Sequence, residues 1–553
     1  MRTSKILTFS LVALISITFG SYSPVFAQEK VVNPVRNSSG ASNPTGINPG
    51  PNPAAEKRSI ISNGVKMALK ASDIRSLDPH YGTTTIDYAC IDPMFNALVR
   101  FKPEDINPEK IEPDLAEKWE RSKDGLVWTF TLRKGVMFHK GYGELTAEDV
   151  KFSLEKAANK ASSGFAADYA SLDKVEVLDK YKVRITFKSA IPSVLGILTN
   201  YHGGYIVSKK AVMEKGDKFK FDPIGTGPFM LKEYLPKEKV VEVRHPEFFR
   251  GKPKLDRVEL WFMPDASSRE MAFRKGEIDI VEGEREQAWV NKMRTIPGTA
   301  IEIFGPGETL ILHFNMTKKP LDDIQVRRAV CHAIDRNELM KFLGPDVTSR
   351  LVSVIPVDYL GGTDKVATYE FNPDKAKKLL AEAGYPKGLD LSMVITEMSD
   401  YRRPMEQVQE QLRRVGIRLK MDVITHTAYH EQIRKDVNPL VLYVCARFPT
   451  ADPLLTQFFY SKSIVGTPTA ITNFSHYNKI DNLIEKARVE PNPKKQKEVW
   501  GEAQKKIMED TVALPLCITK FVFARKAYVD LGYEMRSTLT LVTPIKETTD
   551  VRK

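Results

Sequence analysis

An α/β protein folded as at least two lobes is predicted by three observations. The chain has 553 residues, well beyond the roughly 250–300 at which a single hydrophobic core stops growing. Its first half is strand-rich. Its second half alternates strand and helix in short units, which implies a parallel or mixed sheet covered by helices. An apolar content of 42% and a charged content of 27% are those of an ordinary globular chain, so neither wholesale disorder nor a fibrous class is indicated.

The elements follow in order. Arg2 and Lys5 precede an apolar stretch, residues 6–19, that is too short to span a membrane and suits a secretory signal. Val25 and Ala27 stand at −3 and −1 of a cut before Gln28, so residues 1–27 are expected to be a signal peptide. No cysteine stands near that cut, which argues against a lipid-modified N-terminus. Residues 28–56 are expected to be a disordered linker, since 33–53 (NPVRNSSGASNPTGINPGPNP) consists almost wholly of Asn, Pro, Ser and Gly and cannot bury a core. Folding is expected to begin near Lys57. Residues 126–132 (LVWTFTL) and 181–187 (YKVRITF) read as strands. A helix is predicted over 145–158, capped by Thr146, with Asp149 completing a capping box. Residues 222–229 (DPIGTGPF) have the Gly and Pro density of a shaped turn. Gly225-Thr226-Gly227 lacks the strand-to-helix setting of a dinucleotide fingerprint.

In the second half, residues 309–314 form an apolar run. Asp322 or Asp323 caps a helix reaching Ile334. Asp335 caps the next, with Glu338 at the box position. Asn372-Pro373 opens a helix that closes at Gly384. Residues 389–395 alternate as a strand. Met405, Val408, Leu412 and Val415 share one helical face stopped by Gly416, and 417–424 is again a strand.

The net charge of +12 falls to +10 once Arg2 and Lys5 are removed. Lys and Arg are scattered, with no basic stripe interleaved with aromatics, so no nucleic-acid partner is expected. Cys90, Cys331, Cys445 and Cys517 contain no CxxC pair, which excludes zinc ribbons and thioredoxin-type chemistry and leaves disulfide pairing open. His426 and His430 have a metal-ligand spacing, but the helix is expected to start near Thr427, leaving His426 outside it, and no third ligand is near in sequence; no metal site is expected. GxSxG, HExxH and Walker patterns are absent, so no enzymatic activity and no cofactor are expected.

Several stretches resemble one family in its own order. They are 66–78 followed by Pro79-His80; Asp114-Leu115-Ala116-Glu117-Lys118-Trp119 with Trp128-Thr129-Phe130 and Thr146-Ala147-Glu148-Asp149-Val150; Ile224-Gly225-Thr226-Gly227-Pro228-Phe229; Arg327-Arg328-Ala329-Val330 with Ala333-Ile334-Asp335-Arg336; and 376–385 (AKKLLAEAGY). The chain resembles the family 5 solute-binding proteins of ABC importers for dipeptides, oligopeptides and nickel. The resemblance implies a two-lobed periplasmic binding protein of the type II, cluster C-like class, with an extra subdomain inserted in the first lobe. It places lobe I at 57–308 with the insertion at about 95–211, lobe II at 309–519, and a return to lobe I at 520–553. Two crossing strands are expected near 309–314 and 515–523. The implied activity is capture of a small peptide or peptide-like solute in the periplasm by a monomer, and its transfer to a membrane permease.

Residues 438–453 read NPLVLYVCARFPTADP. The apolar run 440–445 is expected to be a strand of a parallel sheet whose carboxyl end faces the ligand, as in open α/β sheets. In the loop that follows, Arg447 could pair with a ligand carboxylate through two parallel hydrogen bonds, and Phe448 could supply apolar wall. Asp452-Pro453 reads as a cap and proline opening a helix. Peptide-binding members resembling this chain carry an acid in this loop for the peptide amine, and nickel-binding members a histidine; ARFPTA has neither. An organic anion, a metal chelate or an oligosaccharide therefore stays open as ligand, as does a secreted enzyme on the same scaffold. From the first lobe, residues 81–85 (YGTTT) resemble the Gly/Thr loop of dipeptide binders. Gly82, Thr83 and Thr84 are its candidates, offering close approach and uncharged donors and acceptors.

Overall fold

A strand forms where GVKMAL can alternate its faces, and Gly64–Leu69 does so at the centre of the largest sheet. The computed structural model describes residues 63–103, 105–166, 168–189, 191, 194–199, 202–446, 448–466, 472–537 and 543–552. The expected signal peptide, the whole of the expected linker, the expected start of folding near Lys57, and Arg447 lie outside these.

In spatial order the sheet runs Leu440–Cys445, Thr299–Phe314, Ala513–Lys526, Ile280–Glu282, Gly64–Leu69, Arg257–Phe262, Lys239–Arg244 and Phe229–Leu235, with Thr348–Ser349 beside Ala513–Lys526. Gly64–Leu69 pairs parallel with both neighbours; the other pairs are antiparallel. Leu440–Cys445 is wholly buried, as its apolar run predicts. Its partner, however, is the antiparallel strand Thr299–Phe314, so the parallel setting expected for it is corrected. The strand coming over from the other lobe occupies its flank and runs the opposite way.

The two crossing strands are longer than the apolar runs that announced them. Thr299–Phe304 pairs with 521–526, and Glu308–His313 with 513–519, with a register shift between. One apolar cluster contains Val65, Phe130, Tyr205, Phe304, Phe521 and Ile545. The other contains Leu310, Val330, Leu412, Trp500 and Ile518. Both strands thus pass from one core to the other at the register shift, and two lobes result. At roughly 1.5–3 kcal/mol per fully buried large apolar side chain, each cluster is large enough to hold its lobe together.

In the first lobe, Ala116–Arg121, Val127–Leu132, Lys182–Phe187 and Leu172–Asp179 form a separate antiparallel sheet. Trp128, Phe130 and Leu132 point inward at the period of two that the sequence showed. Helix Ala147–Ala158 buries Val150, Leu154 and Ala157. Its predicted start is present: Asp149 Oδ2 accepts from the Thr146 N–H at 3.0 Å. The turn at 224–229 packs so closely on 93–95 that a Cβ on Gly225 would lie 2.1 Å from the Met94 carbonyl oxygen, and one on Gly227 2.4 Å from that of Pro93. Close backbone approach, not ligand binding, accounts for both glycines.

In the second lobe, Leu389–Thr396 and Ile417–Ile424 pair in parallel, joined by helix Ser399–Arg414, whose Met405, Val408 and Leu412 are buried. Asp323 caps Ile324–Ala333, accepting from Gln325 N–H at 2.7 Å. Asp335 caps Arg336–Leu343, accepting from Asn337 and Glu338 N–H groups. Glu338 does not close the expected box. Gln407, Gln411 and Arg414 take its carboxylate, while Gln411 Oε1 accepts from the Asp335 N–H. Asn372 caps Pro373–Glu382.

Two further expectations are corrected. Helix Ala451–Phe459 begins on Thr450, not Asp452. Asp452 is ion-paired instead with Arg488, whose Nε donates at 3.0 Å. Helix His426–Ile433 begins on Thr425, whose hydroxyl accepts from Ala428, so His426 lies inside it. The four cysteines are buried thiols, not disulfides. Among the described residues no helix is long and apolar enough to cross a membrane.

Glu242 contradicts its surroundings. It is fully buried on Lys239–Arg244, opposite Leu231 and Val258, and among the described residues neither carboxylate oxygen has a hydrogen-bond partner. Burial, with Asp92 nearby, pushes its carboxyl well above the usual range. A raised carboxyl binds its proton more tightly in the folded state. Its contribution is therefore whole below the unfolded value near 4.3 and is lost as pH rises through the folded value. Glu242→Met should raise the unfolding free energy by about 2 kcal/mol or more at pH 8, and by less near pH 4, where the carboxyl is protonated in both states but is still buried without a partner. Urea titrations at the two pH values check this; a gain of the same size at both would contradict it.

Candidate functional site

The cleft lies where the crossing strands change cores. Thr309 begins the second-lobe stretch of its strand, and its hydroxyl donates to the Cys445 carbonyl at 3.1 Å. This pins the carboxyl end of Leu440–Cys445, and so the start of the 446–450 loop, to the crossing point. Phe448, 9% exposed, leaves that loop to meet the first lobe. Its ring centroid is 5.6 Å from that of Phe101, and Ile106 completes the apolar contact. Lobe I answers with a cavity of about 90 Å³ whose walls include Tyr88, Phe95, Phe101 and Ile106. Its charges are paired within the protein: Lys546 with Asp92, Arg250 with Asp114, and Arg100 with Glu547.

Charged side chains bridge the lobes around this contact. Arg285 binds Glu308 on the crossing strand, and Glu286 binds Arg403 on helix Ser399–Arg414. Arg294 reaches Asp346 at 2.6 Å, and Lys497 reaches Glu109 at 2.8 Å. Gln287 donates to Asp346 Oδ2 at 2.9 Å and accepts from its N–H at 3.0 Å. Burial works against the charge on Arg285, but Glu308 and Asp400 hold its guanidinium protonated above even the ordinary arginine value. Hydrogen bonds from Gln287 and Arg294 hold the Asp346 carboxyl below its usual range. None of these residues carries a local signal: each reads in sequence as a solvated charge or amide, and its partner belongs to the other lobe or the crossing strand.

The candidate residues of the first lobe sit at a helix start. Thr84 caps Thr85–Ile91, its hydroxyl accepting from Asp87 N–H at 3.1 Å. Asp87 Oδ2 accepts from the N–H groups of Thr83 and Thr84, each at 3.0 Å. Arg75 Nη1 donates to the Thr83 hydroxyl at 3.2 Å. Gly82 is buried, its N–H donating to the Asp78 carbonyl at 2.8 Å. Thr83 alone of the three is exposed. The capping box gives this loop a structural reason to exist, which its small polar composition had not disclosed.

Comparison with known proteins decides the family. Residues 110–466 match the model of the bacterial extracellular solute-binding proteins, family 5, middle region. The chain belongs to that family. This family 5 chain is 28% identical over 471 residues to the dipeptide-binding protein of Escherichia coli K12, covering 78% of this chain and 84% of that protein. Among solved structures it is similar to the binding protein MoaA of A. tumefaciens R10 in complex with mannopinic acid. There the identity is 41% and the TM-score 0.79, over 89% of this chain and all of the other. It is also similar to the periplasmic binding protein DppA of Helicobacter pylori in complex with the peptide STSA, at 26% identity and a TM-score of 0.75, over 89% and 98% of the two chains. The resemblance read from the motifs and the two-lobed α/β fold are both borne out. In this family 5 protein, among the described residues, the Phe101–Phe448 contact and the ion pairs Arg285–Glu308, Glu286–Arg403, Arg294–Asp346 and Lys497–Glu109 tie the lobes and the crossing strand together.

Proposed function

We propose that this chain is the periplasmic capture component of an ABC importer, closing its lobes on a small peptide or peptide-like solute and releasing it to a membrane permease. The observation that supports this most is the convergence of loops from both lobes on one cleft beside the crossing strands, in a chain whose relatives include a dipeptide-binding protein and a structure holding STSA. A solute touching both lobes favours the closed form by its differential contacts alone, and no covalent step is needed. Gly82, Thr83 and Thr84 are the proposed contacts from lobe I, and Arg447 and Phe448 those from lobe II.

A second reading, an acidic solute that is not a peptide, is favoured by one feature. The loop 446–451 has no acid to receive a peptide amine, and the similar chain at 41% identity holds mannopinic acid. A thermal-shift series separates the two. A ligand at a hundredfold excess over its Kd should stabilise the folded chain by about 2.7 kcal/mol. Di- to pentapeptides raising the Tm would support the first reading; mannopinic acid alone doing so would support the second. With either ligand, Arg447→Ala should weaken binding more than tenfold without lowering the Tm of the free protein. An unchanged titration would remove Arg447 from the site.

A further inference from the structure

Helix His426–Ile433 brings two imidazoles together outside the contacts described so far. His426 and His430 are four residues apart, and their Nε2 atoms lie 3.2 Å from each other. Their rings cross at 86° with centroids 4.5 Å apart. Two nitrogens bound at about 2.0–2.1 Å to one tetrahedral ion stand about 3.3 Å apart, so the pair already has the separation of two ligands on a single metal. The orientation is fixed from behind. His426 Nδ1 lies 3.3 Å from Thr396 Oγ1, an oxygen that also accepts from the Met398 N–H. With Nδ1–H donating there, the His426 lone pair is left on Nε2, facing His430. A hydrogen bond that sets ring and tautomer is the usual support of a metal-binding imidazole. Both side chains keep some exposure, while Tyr429 between them is buried. The His430 ring packs edge-on against Tyr443, 6.1 Å away, which limits the room in which it can turn. The Glu397 carboxylate is also near, accepting from the His426 N–H at 3.4 Å.

We infer that His426 and His430 form a two-imidazole clamp for a late first-row divalent metal ion, with the remaining coordination positions open to water or to donor atoms of a chelating solute. Imidazole ligands suit copper, nickel and zinc, and copper(II) binds most tightly in that series. The site lies on the second lobe alone and does not depend on closure.

The test uses the untagged full-length protein and copper(II) alone, titrated at pH 7.5 and followed by electron paramagnetic resonance. One equivalent should bind with two imidazole nitrogens in its equatorial plane. His426→Ala and His430→Ala should each weaken that binding at least tenfold and abolish the two-nitrogen signature. His476→Ala, which removes a histidine paired with Asp436, should leave both unchanged. His430→Gln carries the same test if His430→Ala fails to fold. Copper bound with unchanged affinity by the folded His426 and His430 variants, or bound without a pair of imidazoles, would overturn the clamp and leave the short contact as a hydrogen bond.

Discussion

Gly307→Ala should lower the unfolding free energy by about 3 kcal/mol or more. Gly307 has φ of +78°, so any other residue there is strained. A Cβ would also lie 2.2 Å from the Thr519 carbonyl oxygen and 2.9 Å from Ile518 Cγ2. The first obstacle is backbone of the other crossing strand and cannot turn aside. Strain alone costs of order 1–3 kcal/mol; displacing a paired strand adds to it. Gly384→Ala separates the two. Gly384 has φ of +90° but nothing within 4 Å of the added carbon, so it should lose only the cost of left-handed backbone strain, about 1–2 kcal/mol. Gly307 also lies between the register of 299–304 and that of 308–313, next to Glu308, which holds Arg285. Its replacement should therefore weaken ligand-induced closure as well as stability. Equal losses for the two glycines in urea titration would show that the crossing is not tightly packed at this point.

What could be read from the sequence divides by distance along the chain. The caps at Asp323, Asp335 and Asn372, the close turn at Gly225 and Gly227, and the strand–helix–strand unit over 389–424 are each encoded within a few tens of residues, and all are present. The cap at Asp452 was misread for a physical reason. Thr450-Ala451-Asp452-Pro453 contains two residues able to cap, and the choice is made by Arg488, which takes the carboxylate from another helix. Glu338 failed to close its box in the same way, since Gln407, Gln411 and Arg414 reach it from helix Ser399–Arg414. His426 was excluded from its helix because Thr425 and Thr427 both resemble caps. The cleft was legible only in part. Phe448 was singled out because its loop ends a buried strand, and it packs against Phe101. Phe101, Glu286, Arg403 and Asp346 were not, because a surface charge and a charge aimed at another lobe look alike until the fold brings their partners to them.

Arg488→Met should have the second large effect, and a pH dependence that identifies its cause. Asp452 and Arg488 are 15% and 28% exposed, and Arg488 also donates to the Thr456 hydroxyl. Burial pushes the Asp452 carboxyl above its ordinary range, and the ion pair with Arg488 is what draws it back down. Removing one partner of a buried pair costs about 3–5 kcal/mol; the partial exposure of Arg488 brings the expected loss to about 2–3 kcal/mol at pH 8. Without Arg488 the folded carboxyl is raised further. The variant must then either keep a buried charge or take up a proton that the unfolded chain does not hold at that pH. Below the unfolded value, near pH 3.9, both states are protonated and that cost disappears, so the deficit should shrink steadily from pH 8 toward pH 4. Asp452→Asn in the Arg488→Met background removes the charge itself and should recover at least half of the loss at pH 8. Because Asp452 stands at the start of the helix that follows the Phe448 loop, the single variant should also loosen the Phe101–Phe448 contact and weaken ligand binding more than the double variant does. Urea titrations of the three proteins at pH 4 and pH 8 decide the matter: a deficit independent of pH, or a double variant no more stable than Arg488→Met, would mean that packing of the arginine stem, not its charge, holds this helix in place.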